Sequence, residues 1–246
     1  MKKILYMLLM AMIICSSALA YSNADLELVQ KGESCPHGDL SGADLSGLDL
    51  TGRDFTGADF TEARLHGVRL NEAKLENANF HGALLGKAQL RKANLQGADL
   101  SYASLQEADL TNANLEQAVL TRAQLHKVHL LNANLKYVHG DEASFSAVKG
   151  DYADFTGANL PQAWFERAEL ANSIFYGANL TGASLTKAAL NEADLRSAKL
   201  ASVDFTQANL TKANLDSASL RRANLQEAKL NFTIFGNADK DEIKWK

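Results

Sequence analysis

A five-residue period runs through this chain and narrows its fold more than any other feature. From Leu40 to Phe235, 38 of the 40 positions divisible by five hold Leu or Phe, and only Gly140 and Gly150 break the series. Two residues upstream of each, 30 of the 40 positions hold Ala, from Ala43 to Ala228. Five residues turn an α-helix by ~500°, so successive leucines land ~140° apart and form no stripe. In a flat strand, residues five apart point to opposite faces. Within one unit, however, Ala and the Leu two residues later share a face, and three polar or small residues follow. Each unit therefore reads as a very short strand and a turn. If every turn bends the same way, the Ala and Leu side chains converge on one axis. The chain then coils into a parallel solenoid whose coils hydrogen-bond to those above and below. Ser41-Gly42, Ser46-Gly47, Thr51-Gly52, Thr56-Gly57 and Thr181-Gly182 supply turn chemistry at the required offset.

Ala43-Asp44-Leu45, Ala78-Asn79-Phe80, Ala98-Asp99-Leu100 and Ala213-Asn214-Leu215 resemble the Ala-Asp/Asn-Leu-x-x unit of the pentapeptide-repeat family, over about four-fifths of the chain. That resemblance implies an all-β fold, a right-handed quadrilateral parallel β-helix with 20 residues per coil. Forty units then make about ten coils, a rod roughly 50 Å long at the usual ~4.8 Å strand spacing.

The ends read differently. Met1-Lys2-Lys3, the apolar run Ile4 to Ile14 and Ala18-Leu19-Ala20 predict a signal peptide over 1–20, cleaved after Ala20. Ser16 and Ser17 interrupt the run short of the ~20 apolar residues a membrane span needs. An N-terminal cap is expected over 21–36, with Ala24 to Gln30 compatible with a helix and Leu26, Leu28 and Val29 available to cover the first coil. The β-helix is expected over 37–236 and a C-terminal tail or cap over 237–246, carrying Ile243 and Trp245. Some exported relatives resemble Cys-x-x-Cys-Asp-Leu at the start of the first coil. Here Ser34-Cys35-Pro36-His37-Gly38-Asp39-Leu40 has Gly38 in the second cysteine's place, so no bridge carries over. Cys35 is left as a single thiol, inert or open to intermolecular pairing. A homodimer through Cys35 or the C-terminal tail stays open.

Where the period breaks, Gly140 and Gly150 fall on opposite sides of one coil, and Phe145 and Phe155 occupy the other two. Val138 and Val148 replace the usual Ala there. Close packing then predicts that the missing leucine volume is refilled from adjacent positions, a compensated irregularity that flattens or slightly bends the rod. Outward positions nearby are aromatic: Tyr137, Tyr152, Trp164 and Tyr176, with Leu131 and Pro161 close by. They form the candidate partner-binding patch, or else cover a thinned wall. Arg53 stands where Ala should point inward, and is expected to reach through the open end toward Glu27 or Glu33.

The formal charge is 25 − 29 = −4, about −6 once Lys2 and Lys3 leave with the signal peptide. That balance fits no polybasic nucleic-acid binder. Asp39, Asp44, Asp49, Asp54 and Asp59 repeat at equivalent positions on different sides, so they do not converge on a cation. His126 and His129 have no third ligand, so no metal is expected. There is no Ser/His/Asp pattern, phosphate loop or paired carboxylate in a cleft, so neither catalysis nor a cofactor is expected. The resulting expectation is an exported, non-enzymatic structural or protein-interaction rod of the bacterial envelope or exterior, periplasmic or secreted, with no membrane span after processing. One branch of the family resembles duplex DNA and binds DNA gyrase. The leader and the dilution of acidic charge by Arg91-Lys92 and Arg221-Arg222 speak against that alternative. A secreted effector acting in a host cell is the third reading.

Overall fold

A computed structural model describes residues 21–245. The expected signal peptide lies outside the described residues. Among these, no helix is long and apolar enough to cross a membrane.

The period of five is realised as a ladder of single-residue bridges. All 38 are parallel, and every one joins residues twenty apart, from Asp39↔Asp59 to Asn224↔Lys244. Twenty residues thus make one coil, and the bridges fall into four columns. We number the faces by the outward residues of these columns. The first runs from Asp39 to Asp239, the second from Asp44 to Lys244, the third from Asp49 to Lys229 and the fourth from Asp54 to Ile234.

One pentad accounts for all five of its backbone N–H groups, which is why the unit repeats. Leu40 donates to the Asp59 carbonyl at 2.8 Å and Gly42 to the Thr61 carbonyl at 2.7 Å, both in the next coil. Ala43 closes the turn on the Leu40 carbonyl at 3.1 Å. A ladder residue such as Asp59 donates back to the Gly38 carbonyl at 2.8 Å. The fifth donor, Ser41 N–H, reaches the Asp39 carboxylate at 3.2 Å. Asp or Asn at the ladder position is therefore the partner of the one amide the neighbouring coils leave over.

The turn has φ near +60° at its third residue, the type II pattern, and 31 non-glycine residues adopt it alongside glycines such as Gly42. The apolar interior is continuous from Cys35 to Leu225, and its Leu, Phe and Ala side chains are essentially without exposure.

At the N-terminus, α1 (Asn23–Gln30) sits across the first coil, capped by Ser22, whose hydroxyl accepts Asp25 N–H at 3.3 Å. Val29 is buried and Leu26 packs on the core, but Leu28 points outward, because an eight-residue helix turns only one narrow stripe toward the coil. Cys35 occupies a core position, donating to Asp54 O at 2.9 Å as the leucines do, and is 5% exposed. Arg53 is exposed and passes near Gly32, but among the described residues it makes no ion pair with Glu27 or Glu33. The C-terminal tail expected from residue 237 is no separate cap. The ladder continues through Asp239 and Lys244, because Ala238 and Ile243 hold the inward position of the pentad.

Candidate interaction surfaces

The break in the leucine series is repaired from the coil above. A Cβ built on Gly140 would lie 2.8 Å from Leu160 Cδ2, and one on Gly150 3.0 Å from Leu170 Cδ2. These two leucines lean into the space that the glycines vacate. Val138 and Val148 are buried as well, and the nearest side-chain atoms of the coil above at the two sites belong to Leu160 and Leu170. Rings occupy the two remaining sides. Phe145 stacks on Phe165 at 4.7 Å and Phe155 on Phe175 at 4.6 Å, with edge contacts of 5.8–5.9 Å between the two stacks. Two coils thus pack as one unit of four Phe, two Leu and two Gly.

The four outward aromatics do not form one patch. Tyr137 and Tyr176 share the edge between the fourth and first faces. Tyr137 covers Gly157, whose added Cβ would meet the ring at Cε1, 2.6 Å away. Tyr176 carries the Arg196 guanidinium 5.6 Å from its ring centroid. Tyr152 stands on the edge between the third and fourth faces, 57% exposed. Trp164 is a ladder residue of the second face, between Ser144 and Ser184. Further exposed apolar groups, Leu84 on the second face and Phe232 and Ile234 on the last coil, fall outside the cluster of aromatics singled out in the sequence. Their signal is the residue number modulo twenty, which sorts outward positions onto faces.

Polar surfaces are largely self-satisfied. The turn hydroxyls and amides of Ser46, Thr51 and Thr56 hold the Asp44, Asp49 and Asp54 carboxyls below the usual carboxylate range. Asp194 is lowered chiefly by Arg196, which it binds at 2.7 Å. On the fourth face Asn94, Asn114 and Asn134 form a ladder, Asn114 donating to the Asn94 side-chain carbonyl and Asn134 to that of Asn114, both at 2.9 Å, while the Asn94 amide donates to the Glu76 carboxylate at 2.6 Å. A shallow groove on the third face is lined by Arg91, Asp109, His129, Leu131 and Lys149, with Arg91 and Asp109 paired at 3.4 Å. His126 stands on the neighbouring edge. Among the described residues, no three His, Cys, Asp or Glu side chains are placed to hold a metal ion.

Burial and then the nearby Asp25 carboxylate push the Cys35 thiol up. A Cβ on Gly38 would collide with Cys35 Sγ, so the thiol fills the room that a side chain there would take.

Pentapeptide repeat models match residues 39–77, 73–112, 188–226 and 204–239, and a pentapeptide repeat region model matches 118–195. No curated protein matches the chain. Among solved structures, the chain is similar to HetL, a pentapeptide repeat protein involved in heterocyst differentiation regulation in the cyanobacterium Nostoc sp. strain PCC 7120. The identity is 30%, over 87% of this chain and 92% of that one, with a TM-score of 0.63. A pentapeptide repeat protein of the Arabidopsis thaliana thylakoid lumen is 33% identical over 33% of this chain and 61% of that one, with a TM-score of 0.30. QnrB1, a plasmid-mediated fluoroquinolone resistance protein, is 17% identical over 78% and 91%, with a TM-score of 0.43. With its ladder of twenty-residue coils and these matches along most of its length, the chain belongs to the pentapeptide-repeat family and has that family's right-handed β-helix solenoid fold.

Proposed function

We propose that the chain is an exported, non-enzymatic interaction rod of about ten coils, working at the bacterial envelope or exterior and binding protein partners through its outer faces or ends. The observation that carries this reading is the filled interior. Leu, Phe and Ala close the core at successive rungs, so outward side chains on flat faces are the chemistry available to a partner. The sequence of Met1–Ala20 supports export. Dimerisation through Cys35 would require α1 to lift, since the thiol lies beneath it; the apolar last coil is the more accessible of the two routes.

Cell fractionation with N-terminal sequencing tests the address. A chain beginning at Tyr21 and found outside the inner membrane supports the proposal. An unprocessed cytoplasmic chain overturns it and favours the gyrase-binding alternative. For docking, Tyr152→Ala and Trp164→Ala separate the roles: loss of a partner with an unchanged melting curve supports a contact surface, whereas unfolding makes these side chains part of the wall.

A further inference from the structure

The second face differs from the other three. Its ladder residues Leu84, Ser104, Gln124, Ser144, Trp164 and Ser184 are six consecutive uncharged side chains, bounded by Arg64 below and Asp204 above. Over the same rungs the first face carries Asp99, the third Asp109, Lys149 and Glu169, and the fourth Asp154. Leu84 and Trp164 are each 49% exposed. Among the described residues, Arg64 makes no ion pair. Two exposed apolar side chains on a ladder free of charge share with an interface centre its lack of charged groups, the charges being left to the rim.

We propose that a second copy of this chain covers this face, the two rods running antiparallel about a two-fold axis that lies in the interface midway between the rungs of Gln124 and Ser144. The order of side chains selects this occupant. The rotation sets Gln124 against Ser144 of the second copy, Trp164 against Ser104, Leu84 against Ser184, and Arg64 against Asp204. Every large side chain then meets a serine, and both ends close on opposite charges. An isologous contact needs a surface complementary to itself, and this one is. Face-to-face sheets pack ~10 Å apart, a gap that Trp on Ser can fill.

The edges agree with the same register. Arg122, paired at 2.9 Å with Glu142 of its own chain, comes level with Glu142 of the second copy on one edge, and Glu107, 3.9 Å from Lys87 of its own chain, with Arg167 on the other, so each edge juxtaposes opposite charges. The like-charged pair is Lys87 with Lys187, at the outer margin. A parallel arrangement would instead stack Trp164 on Trp164, Arg64 on Arg64 and Arg122 beside Lys127. From Arg64 to Asp204 the strip spans ~34 Å at ~4.8 Å per rung. This inference goes beyond the interaction-rod reading, since it holds for a chain with no other partner.

Sedimentation of the purified protein from about 1 to 100 µM tests it, the range in which a modest interface of this kind associates. The expected result is a monomer–dimer equilibrium. Gln124→Arg and Ser144→Arg point outward and spare the core, but by symmetry each places two cations at the centre. Each should weaken association by at least about tenfold. Arg64→Asp should weaken it too, and adding Asp204→Arg should restore it, a rescue that misfolding does not produce. Melting by circular dichroism verifies that each variant is folded. A wild type monomeric throughout overturns the proposal, and would leave the interaction-rod reading standing if a protein partner still binds. A dimer indifferent to Gln124→Arg and Ser144→Arg also overturns it and moves self-association elsewhere, such as the last coil.

Discussion

The Asp25 carboxylate, in the first turn of α1, accepts the backbone N–H of Asp39 at 2.9 Å, and the Asp39 carbonyl accepts Ser22 N–H at 2.9 Å. In every later coil those groups bond to a neighbouring coil, so here the helix and its cap stand in for the coil that is missing below. Asp25→Ala should cost about 1–3 kcal/mol, the penalty for leaving a shielded amide without its partner. Because Asp25 also raises the Cys35 thiol, the variant should be alkylated by iodoacetamide faster than wild type at neutral pH. Unchanged melting together with an unchanged alkylation rate would show that the clamp contributes nothing.

The Gly140 site predicts a graded response. Gly140→Leu must displace Leu160, which already fills the space, and overpacking of this kind costs about 1–3 kcal/mol. Gly140→Ala brings a Cβ to 2.8 Å from the flexible end of Leu160, so a smaller loss is expected. Gly140→Leu combined with Leu160→Gly restores the volume on the same side and should recover part of the stability. A Leu variant that melts at or above the wild-type temperature would refute the packing account, and thermal denaturation reads all three.

What was legible in the sequence, and what was not, follows from the same packing. Leucines five apart and alanines two before them allow little but a solenoid, and the ladder bears this out from Asp39 onward. The part of Leu160 and Leu170 in filling the space at Gly140 and Gly150 was not legible, because in the sequence both look like any other leucine of the series. The C-terminal ladder was hidden by Lys240 and Trp245 at positions usually leucine, although Ala238 and Ile243 kept the inward register. The aromatic residues near the break are neighbours along the chain but sit on different sides of the tube. Coil length, which resemblance rather than spacing supplied, is what sorts Trp164 from Tyr152.

Acid sensitivity should show in the first coils, where three consecutive carboxyls are shifted. The carboxyls of Asp44, Asp49 and Asp54 are lowered by hydrogen bonds from the following turns, so their folded pKa lies below the unfolded one. Their contribution is therefore present above the unfolded value of about 4 and is lost as pH falls from there through the folded pKa. Asn accepts the same turn bonds without titrating, as Asn179 does from Thr181 N–H at 3.2 Å and from its hydroxyl at 2.7 Å. Replacing Asp44, Asp49 and Asp54 by Asn should leave the melting temperature near pH 7 almost unchanged and flatten its fall between about pH 4 and pH 2. An equally steep fall in the triple variant would place the acid-labile groups elsewhere.

The turn rule gives the most general prediction. The third turn residue has φ near +60° in pentad after pentad, and the non-glycine residues there include Lys, Glu, Asn, Ser and Tyr but no Val, Ile or Thr. One position earlier, where φ is negative, threonine is frequent, as at Thr51, Thr111, Thr181 and Thr211. A β-branched side chain crowds its own backbone in the left-handed region, while the position before it carries no such restriction. Ser217, exposed at φ +61°, is a clean place to measure this. Ser217→Val should destabilise by about 1–3 kcal/mol, and Ser217→Gly should be neutral to within about 1 kcal/mol, since relief of strain offsets the greater freedom of the unfolded chain. The same Val placed at half-buried Ala201, the second residue of a turn, should cost less than at Ser217. Equal losses at the two sites in urea denaturation would mean that the coils, rather than the turn, decide which residues are tolerated.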